Sequence, residues 1–463
     1  MRRGASMGTW CKWTSRLKWV LPSPGPAASV LRLAMPVTLG MLTFTLLSIV
    51  DTAMLGRLGA VPLAASGVAG VLFFAVVFPL SSMSVGTQTL VARRFGEHQD
   101  TACGQVLNTG WVLGLLLGLP LAALAPWLAR MLSPLASNDP VVRASASVYM
   151  QYRFLGAPFM LLNMVGQGFL AGIGRTKHQF IGSVVVTLVN LLLDYALIFG
   201  RWGFPQLGIQ GAAIASSVAL GMGSVYFMGV LALPEYRRRF GVFVRPWLAR
   251  AWVWPMIRLS APIVGQRVLS NGAWSVFFAL VARIGTLELA ATNVIRSIYH
   301  LSIMVAVGLG VAASTQVGQN LGKGRPEAAE QLGWETLKLG TIAMLLVGGL
   351  FVVVPGLIFR LYTQDAAVIA VGRMPLMLLG LVQPFAGVTL ILSHALQGAG
   401  NTRYVMVAEF ASILLYLPMV YGLGLRTPLG LVGAWTGEYV YWLVLAVAMA
   451  WKFRGGSWKQ ILV

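Results

Sequence analysis

Apolar runs long enough to cross a bilayer follow one another along almost the whole chain, separated by short polar turns. They cover about 29–56, 62–92, 103–129, 142–171, 179–200, 207–233, 256–283, 288–318, 329–361, 367–397, 404–423 and 429–451. A spanning helix needs about 20 predominantly apolar residues, and each of the twelve runs reaches that length. The pattern therefore predicts an all-α integral membrane protein with twelve transmembrane helices.

The pattern also repeats. Leu31, Arg32, Leu33, Ala34, Met35 and Pro36 are answered by Ile257, Arg258, Leu259, Ser260, Ala261 and Pro262, an offset of 226. The same offset links Gly59, Leu63, Ala64, Ala65 and Ser66 to Gly285, Leu289, Ala290, Ala291 and Thr292, and the turn at 172–177 to the turn at 398–403. Near the end the register slips by four, pairing Leu207 and Gly208 with Leu429 and Gly430. The chain is one duplicated unit, with six spans in each copy. Six is even, so both copies enter the membrane from the same face and form two parallel six-helix repeats. The organisation expected is a cytoplasmic N-terminal extension at 1–28, an N-terminal six-helix bundle at 29–233 and a basic cytoplasmic linker at 234–255. A C-terminal six-helix bundle at 256–452 and a cytoplasmic tail at 453–463 complete it.

Composition agrees with lipid as the solvent: 57% of residues are hydrophobic and only 10% charged, with a mean hydropathy of +0.77. A soluble domain would carry roughly 25% charged residues. The net charge of +21 would suit a nucleic-acid partner, but its placement argues against one. Clusters at Arg93/Arg94, Arg175/Lys177, Arg237/Arg238/Arg239, Lys323/Arg325, Arg403 and Lys452/Arg454 fall in every second loop or in the tails. That is the positive-inside bias, and it places both termini in the cytoplasm. With no cleavable leader pattern in the first 28 residues, the chain reads as a multi-pass protein of a bacterial inner membrane. Trp10, Trp13 and Trp19 suit an interfacial segment, Met7 is an alternative start, and Trp252 and Trp254 lay the linker along the headgroups unless it is a solvated tether. Cys11 and Cys103 both fall near the cytoplasmic side, where a structural disulfide is not expected.

Chemistry is sparse. An ionisable side chain deep in a span costs at least about 2.5–3.5 kcal/mol and needs a reason; Asp51, Asp194, Glu409 and Glu438 lie deep, with Glu288 at a helix mouth. Counting at 1.5 Å per residue puts Asp51 about 7–8 Å, and Asp194 about 9 Å, below the outer ends of the first and fifth spans. The two acids thus share a depth within one half. Asn190, four residues before Asp194, shares its helix face, and Ser216 on the sixth span reaches the same level. Together they predict a polar pocket in the outer half of the membrane. A carboxyl group there favours its neutral form, so proton uptake and release would switch the pocket's charge and suit exchange of a proton for a cationic substrate. The competing reading pairs each acid with a nearby arginine, Arg57 or Arg201. Glu409 and Glu438 give the second half its own polar centre, unless Arg267 and Arg296 neutralise them as ion pairs. His300 and His394 read as packing residues. The Gly-rich turns at 172 and 398 follow no strand and are helix reversals rather than phosphate loops. No zinc-ligand spacing or nucleophile motif points to a metal, a cofactor or an enzyme.

The residues Leu33-Ala34-Met35-Pro36, the segment 50–56 around Asp51, the turn at 93–96, the turn at 172–177, Asn190 with Asp194, and 208–216 resemble the multidrug and toxic compound extrusion (MATE) family, in particular its DinF-like branch. The resemblance covers about 29–452. It implies two six-helix bundles around a central cleft that opens alternately to each side, and efflux of small amphipathic, often cationic compounds driven by inward proton or sodium flow. It implies a proton or cation site at Asp51, Asn190 and Asp194, pocket-lining roles for Gln167 and Ser216, and a helix-bending role for Pro36. Glu288, Glu409 and Glu438 are the second-half candidates. No cofactor beyond the coupling ion and no nucleic-acid partner is implied, and a monomer is expected. Two alternatives stay open: coupling to sodium through the same oxygen ligands, and a lipid-linked oligosaccharide flippase of the same broad fold.

Overall fold

The structure, a computed structural model, describes residues 22–463. The tryptophans, Cys11 and Met7 of the N-terminal extension lie outside the described residues. Every regular element described is helical. The first half contributes α1 (Pro24–Gly56), α2 (Ala60–Leu80), α3 (Met83–Gly96), α4 (Asp100–Ala123), α5 (Ala125–Leu132), α6 (Pro140–Phe154), α7 (Ala157–Gly172), α8 (Lys177–Phe199) and α9 (Ile209–Ala232). The short α10 (Pro234–Phe240) leads into the second half: α11 (Arg250–Ile284), α12 (Thr286–Gly322), α13 (Pro326–Val353), α14 (Pro355–Arg360), α15 (Ala366–Gly398), α16 (Thr402–Leu425) and α17 (Gly430–Arg454). Among the described residues, ten stretches are long and apolar enough to cross a membrane, α2 and α3 counting as one, and the bent pair α6–α7 makes an eleventh. The twelfth predicted span is α11, 35 residues long but diluted by Arg258, Gln266, Arg267 and Asn271.

Helix boundaries obey the sequence repeat. Residues 60–96 and 286–322 are each one span of 37 residues, and 140–172 answers 366–398. What differs is continuity. In the first half the span breaks at Ser81 and Ser82, just after Pro79, whereas its counterpart α12 runs unbroken with Val305 at the matching position. Proline removes one backbone donor and crowds the preceding turn. The Phe78 carbonyl at the break accepts hydrogen bonds from Arg267 at 3.1 Å and from the Ser81 hydroxyl at 2.6 Å. Arg267 also donates to Ser81 Oγ at 2.7 Å. The Ser81 amide also reaches this carbonyl, at 3.1 Å, and Arg267 adds a further internal donor where the helix is interrupted in lipid.

The second break tells the same story. Pro158 and Pro384 are repeat mates, yet α6 and α7 meet at 47° while α15 stays continuous. Two residues before the proline stand Gly156 and Val382, and the glycine leaves room for α9 at the bend. A Cβ on Gly156 would lie 3.1 Å from Ser217 Cα, so α9 presses on the break, and Ser217 Oγ donates to the exposed Tyr152 carbonyl at 2.8 Å. Asp139 and its mate Asp365 cap the helices that follow: each carboxylate accepts a backbone N–H two residues on, at 2.8 and 2.9 Å.

The chain forms two compact units, one comprising Pro36–Asn271 with Val463, the other residues 22–35 with Gly272–Leu462. Their boundaries fall inside α1 and α11, the first helix of each half. Residues 22–35 thus belong with the second half, where Val30 and Ala34 are buried beside Leu309, Ala312 and Ala313. The helix α1 passes through Pro36, at the division, without ending. The segment 234–255 is docked rather than a loose tether. Asn108 on α4 donates to the Val244 carbonyl at 3.2 Å, Thr109 accepts from the Ala249 amide at 3.1 Å, and the Trp252 indole donates to Gln105 at 3.0 Å. Arg239 pairs with Asp100 at 2.8 Å, which raises its guanidinium above the usual value. Gly104 allows this approach, because a Cβ there would overlap the Phe240 carbonyl.

Candidate functional site

The first unit's polar centre is assembled from α1, α6, α8 and α9. Gly40 lets α1 lie close to α8, a Cβ there standing 3.0 Å from Ser183 Oγ, and one helical face further along α1 carries Asp51. On α8, Asn190 and Asp194 sit on one face, as their spacing of four dictates, and are 3% and 1% exposed. Asn190 Nδ2 donates to Asp194 Oδ2 at 2.6 Å, and Ser216 Oγ on α9 donates to Asn190 Oδ1 at 3.3 Å. The chain Ser216–Asn190–Asp194 therefore holds one carboxyl oxygen of Asp194 and leaves the other to face elsewhere.

Asp194 also meets Asp51 of α1. The two carboxyl groups lie within hydrogen-bond reach of each other. Asp51 Oδ1 and Asp194 Oδ1 are both buried, and neither receives a hydrogen bond from an N–H or O–H donor of the protein. Two carboxylate oxygens cannot satisfy each other, since both only accept; a proton between them satisfies both. Arg57 and Arg201 are exposed, and the charge acting on the two acids comes from a different arginine, Arg153 on α6. The reading that pairs the acids with Arg57 or Arg201 is thus replaced.

Arg153 and its neighbour Tyr149, one turn earlier, were not legible as site residues. Arg153 sits in a span whose apolar average hides it, and nothing in the sequence places α6 beside α1. Gln167 is half-buried on α7 and engages Gln179 through its backbone carbonyl. The buried polar link between α7 and α9 is instead Asn163, which donates to the Leu220 carbonyl at 3.0 Å and accepts from Ser224 at 2.9 Å. A sequence signal for it existed: Asn163 and Ser224 are polar residues at matching depth in spans that run in the same direction.

With this geometry the comparisons become specific. The MatE family model matches residues 36–196 and again 262–421, segments whose starts stand 226 apart like the internal repeat. The chain belongs to the MATE family. A protein of Burkholderia mallei named probable multidrug resistance protein NorM is 30% identical over 443 residues, spanning 93% of each chain. The multidrug resistance protein NorM of Burkholderia vietnamiensis is 29% identical over 445 residues, 92% of this chain and 94% of that one. A solved structure described as an outward-facing multidrug resistance MATE family transporter of the MOP superfamily has a TM-score of 0.85 at 21% identity, covering 94% of this chain and 97% of that chain. That likeness establishes a shared fold. As a MATE protein the chain is a multi-pass membrane transporter and not an enzyme.

The second unit of this MATE protein holds another acidic centre, with no counterpart to the first in residue type. Glu409 on α16 and Glu438 on α17 are 6% and 3% exposed and act on each other electrostatically. Glu438 accepts from the Trp442 indole at 3.0 Å and from the Tyr416 hydroxyl; Tyr441 bonds Glu409. Neither arginine proposed as a counter-ion is there: Arg267 serves the break after Pro79, and Arg296 lies over the Phe278 ring at 5.4 Å. Glu288 stands apart in the first turn of α12, folded back over Gly285, where the helix dipole favours a negative charge. His300 is exposed on the same helix, and His394 packs against Gly310 while its Nδ1 contacts the Leu390 carbonyl at 2.7 Å. Among the described residues no three His, Cys, Asp or Glu side chains gather around a common metal position.

Glu438→Gln keeps an oxygen for the Trp442 and Tyr416 donors and is expected to melt within a few degrees of the parent in detergent. Glu438→Ala leaves both donors buried and unpaired, at about 1–3 kcal/mol each. Equal melting temperatures for the two variants would show that these bonds do not hold α16 against α17.

Proposed function

We propose that this MATE protein is a secondary active multidrug efflux antiporter. It exports small amphipathic, often cationic compounds in exchange for protons. The observation that carries the reading is the Asp51–Asp194 contact: two carboxyls side by side, each with a buried oxygen that no N–H or O–H of the protein reaches. Loss of that proton leaves a pocket of net negative charge in a low-dielectric setting, where Coulomb attraction for an organic cation is strong. Gain of the proton removes the attraction and releases the cation. Opening alternately to each side of the membrane converts this charge switch into antiport.

Pro36 fits a role in the rearrangement. It lies fifteen residues before Asp51 on the same helix, and its missing backbone donor makes bending at that point cheap. Asn190 and Ser216 orient Asp194, and Gln167 stays a pocket-lining candidate at the α7 end. Glu288, Glu409 and Glu438 remain second-half candidates, subordinate to the aspartate pair. The DinF-like placement rests on Asp51, Asn190 and Asp194 occurring together. Both termini in the cytoplasm, a bacterial inner-membrane location and a monomeric state complete the proposal. The first follows from the distribution of basic loops, and the bacterial source of the NorM relatives supports the second.

The test is transport of ethidium by purified protein in vesicles, with an imposed pH gradient and an imposed sodium gradient in separate runs. Efflux under the pH gradient alone is the expected result. Efflux under the sodium gradient alone would transfer the coupling role to Na⁺ at the same oxygens, and indifference to both would remove antiport altogether.

A further inference from the structure

Arg153 occupies an unusual position for a cation. It lies in a membrane-crossing stretch, in the last turn of α6, and its guanidinium covers the Phe73 ring of α2 at 4.8 Å. Its Nη1 is buried and has no hydrogen-bond acceptor. A charge so placed costs several kcal/mol unless something nearby compensates it. The groups that act on it, and on which it acts, are Asp51 of α1, Asp194 of α8 and Tyr149 of its own helix. The hydroxyl of Tyr149 is bonded to Arg153, and its ring packs beside Leu55, Ile198 and Ala212. Helix α9 contributes the neutral Ser216, which donates to Asn190, and α2 the Phe73 face.

The charges of these groups can be counted. With one proton shared by the aspartates, the pair carries one negative charge and Arg153 one positive, so the pocket is neutral. Removing the proton leaves a single net negative charge, enough for one monovalent organic cation. Without the arginine the same two states would carry one and two negative charges, and the second is prohibitive in a low-dielectric site. We propose that Arg153 is the built-in counter-charge of the Asp51–Asp194 pair, setting the pH at which the pair surrenders its proton and fixing the exchange at one proton per monovalent cation. This rests on the antiport reading given above. Arg153 acts through the aspartates and is a positioning residue, not one that must touch the substrate.

The readout is the protonated-carboxyl stretch in infrared spectra of the purified full-length protein, titrated with pH and assigned by its loss in D51N and D194N. A nearby cation favours the ionised carboxylate, so in Arg153→Gln the carboxyl band should persist to higher pH, its midpoint moving up by about one unit or more. Arg153→Lys, which keeps the charge, should stay near the parent midpoint. The pH profile of ethidium efflux in vesicles should move in parallel. A folded Arg153→Gln protein titrating at the parent midpoint overturns the proposal, as does an equal shift in Arg153→Lys. If the parent itself fails to transport under a pH gradient, the antiport reading fails while the infrared titration still decides the role of Arg153. Should Arg153→Gln not fold, the double variant Asp51→Asn/Arg153→Gln decides: removing the acid with the cation restores folding if charge balance is the cause. Continued misfolding makes Arg153 a packing residue and overturns the proposal.

Discussion

Asp51→Asn and Asp194→Asn are each expected to abolish efflux driven by a pH gradient, to the level of protein-free vesicles, while leaving the fold intact. The two halves of that expectation have separate causes. Coupling fails because an amide cannot gain or lose a proton in the working range: with Arg153 balancing the one remaining carboxylate, the pocket stays neutral through the cycle and never attracts the cation. The fold survives because asparagine is nearly the shape of aspartate and still offers an oxygen. In Asp194→Asn that oxygen can accept from Asn190, whose donor reaches Asp194 at 2.6 Å. In either variant the new amide nitrogen can donate to the remaining carboxylate, replacing the shared proton. The cost of such an exchange is within about 1 kcal/mol, so detergent melting curves should nearly overlay the parent. Ethidium binding should weaken together with transport, because the net negative charge that attracts the cation no longer forms. Normal pH-driven export in both variants would dismiss the aspartate pair as the coupling site.

Gly168→Ala is expected to be among the most damaging single-methyl changes in the first unit. A Cβ at Gly168 would overlap the Ser84 carbonyl oxygen, an obstacle made of backbone in the first turn of α3, which cannot swing aside as a side chain can. Forcing α3 and α7 apart would spoil the surrounding packing of Val91, Leu107, Val165 and Phe169, all fully buried. Overpacking of this kind costs about 1–3 kcal/mol or more. Alanine's better helix propensity returns only about 0.5–1 kcal/mol. The second unit makes the same helix contact in reverse: the mate of Ser84 is Gly310, the mate of Gly168 is His394, and a Cβ on Gly310 would lie 2.8 Å from the His394 ring. Each contact thus keeps a glycine on one of its two helices. Detergent melting should therefore show Gly168→Ala clearly destabilised. A melting temperature equal to the parent's would mean that α3 and α7 separate without loss.

The architecture could be read without coordinates because its determinants are local or periodic. A spanning helix declares itself by about 20 apolar residues in succession, and the offset of 226 returned nearly every helix boundary, down to the paired caps at Asp139 and Asp365. The meeting of Asp51 and Asp194 was legible as well. Both are rare charges in lipid, and a rise of 1.5 Å per residue assigns them one depth.

What escaped was everything that depends on which distant side chains face each other. Arg267 looked like a partner for buried glutamates and instead closes the backbone after Pro79, since a freed carbonyl in a water-free interior captures whatever donor the neighbouring helix offers. Arg153 was concealed by the apolar average of its helix, and only the bend at Gly156 and the packing of α6 bring it near the aspartates. The same proline gives a 47° bend beside Gly156 and a continuous helix beside Val382. Length, repeat and the depth of charges belong to the chain itself, fixed by helix geometry and by the absence of water. The assignment of donor to acceptor belongs to the folded molecule, because hydrogen bonds and counter-charges are short-ranged and join residues that the sequence holds far apart.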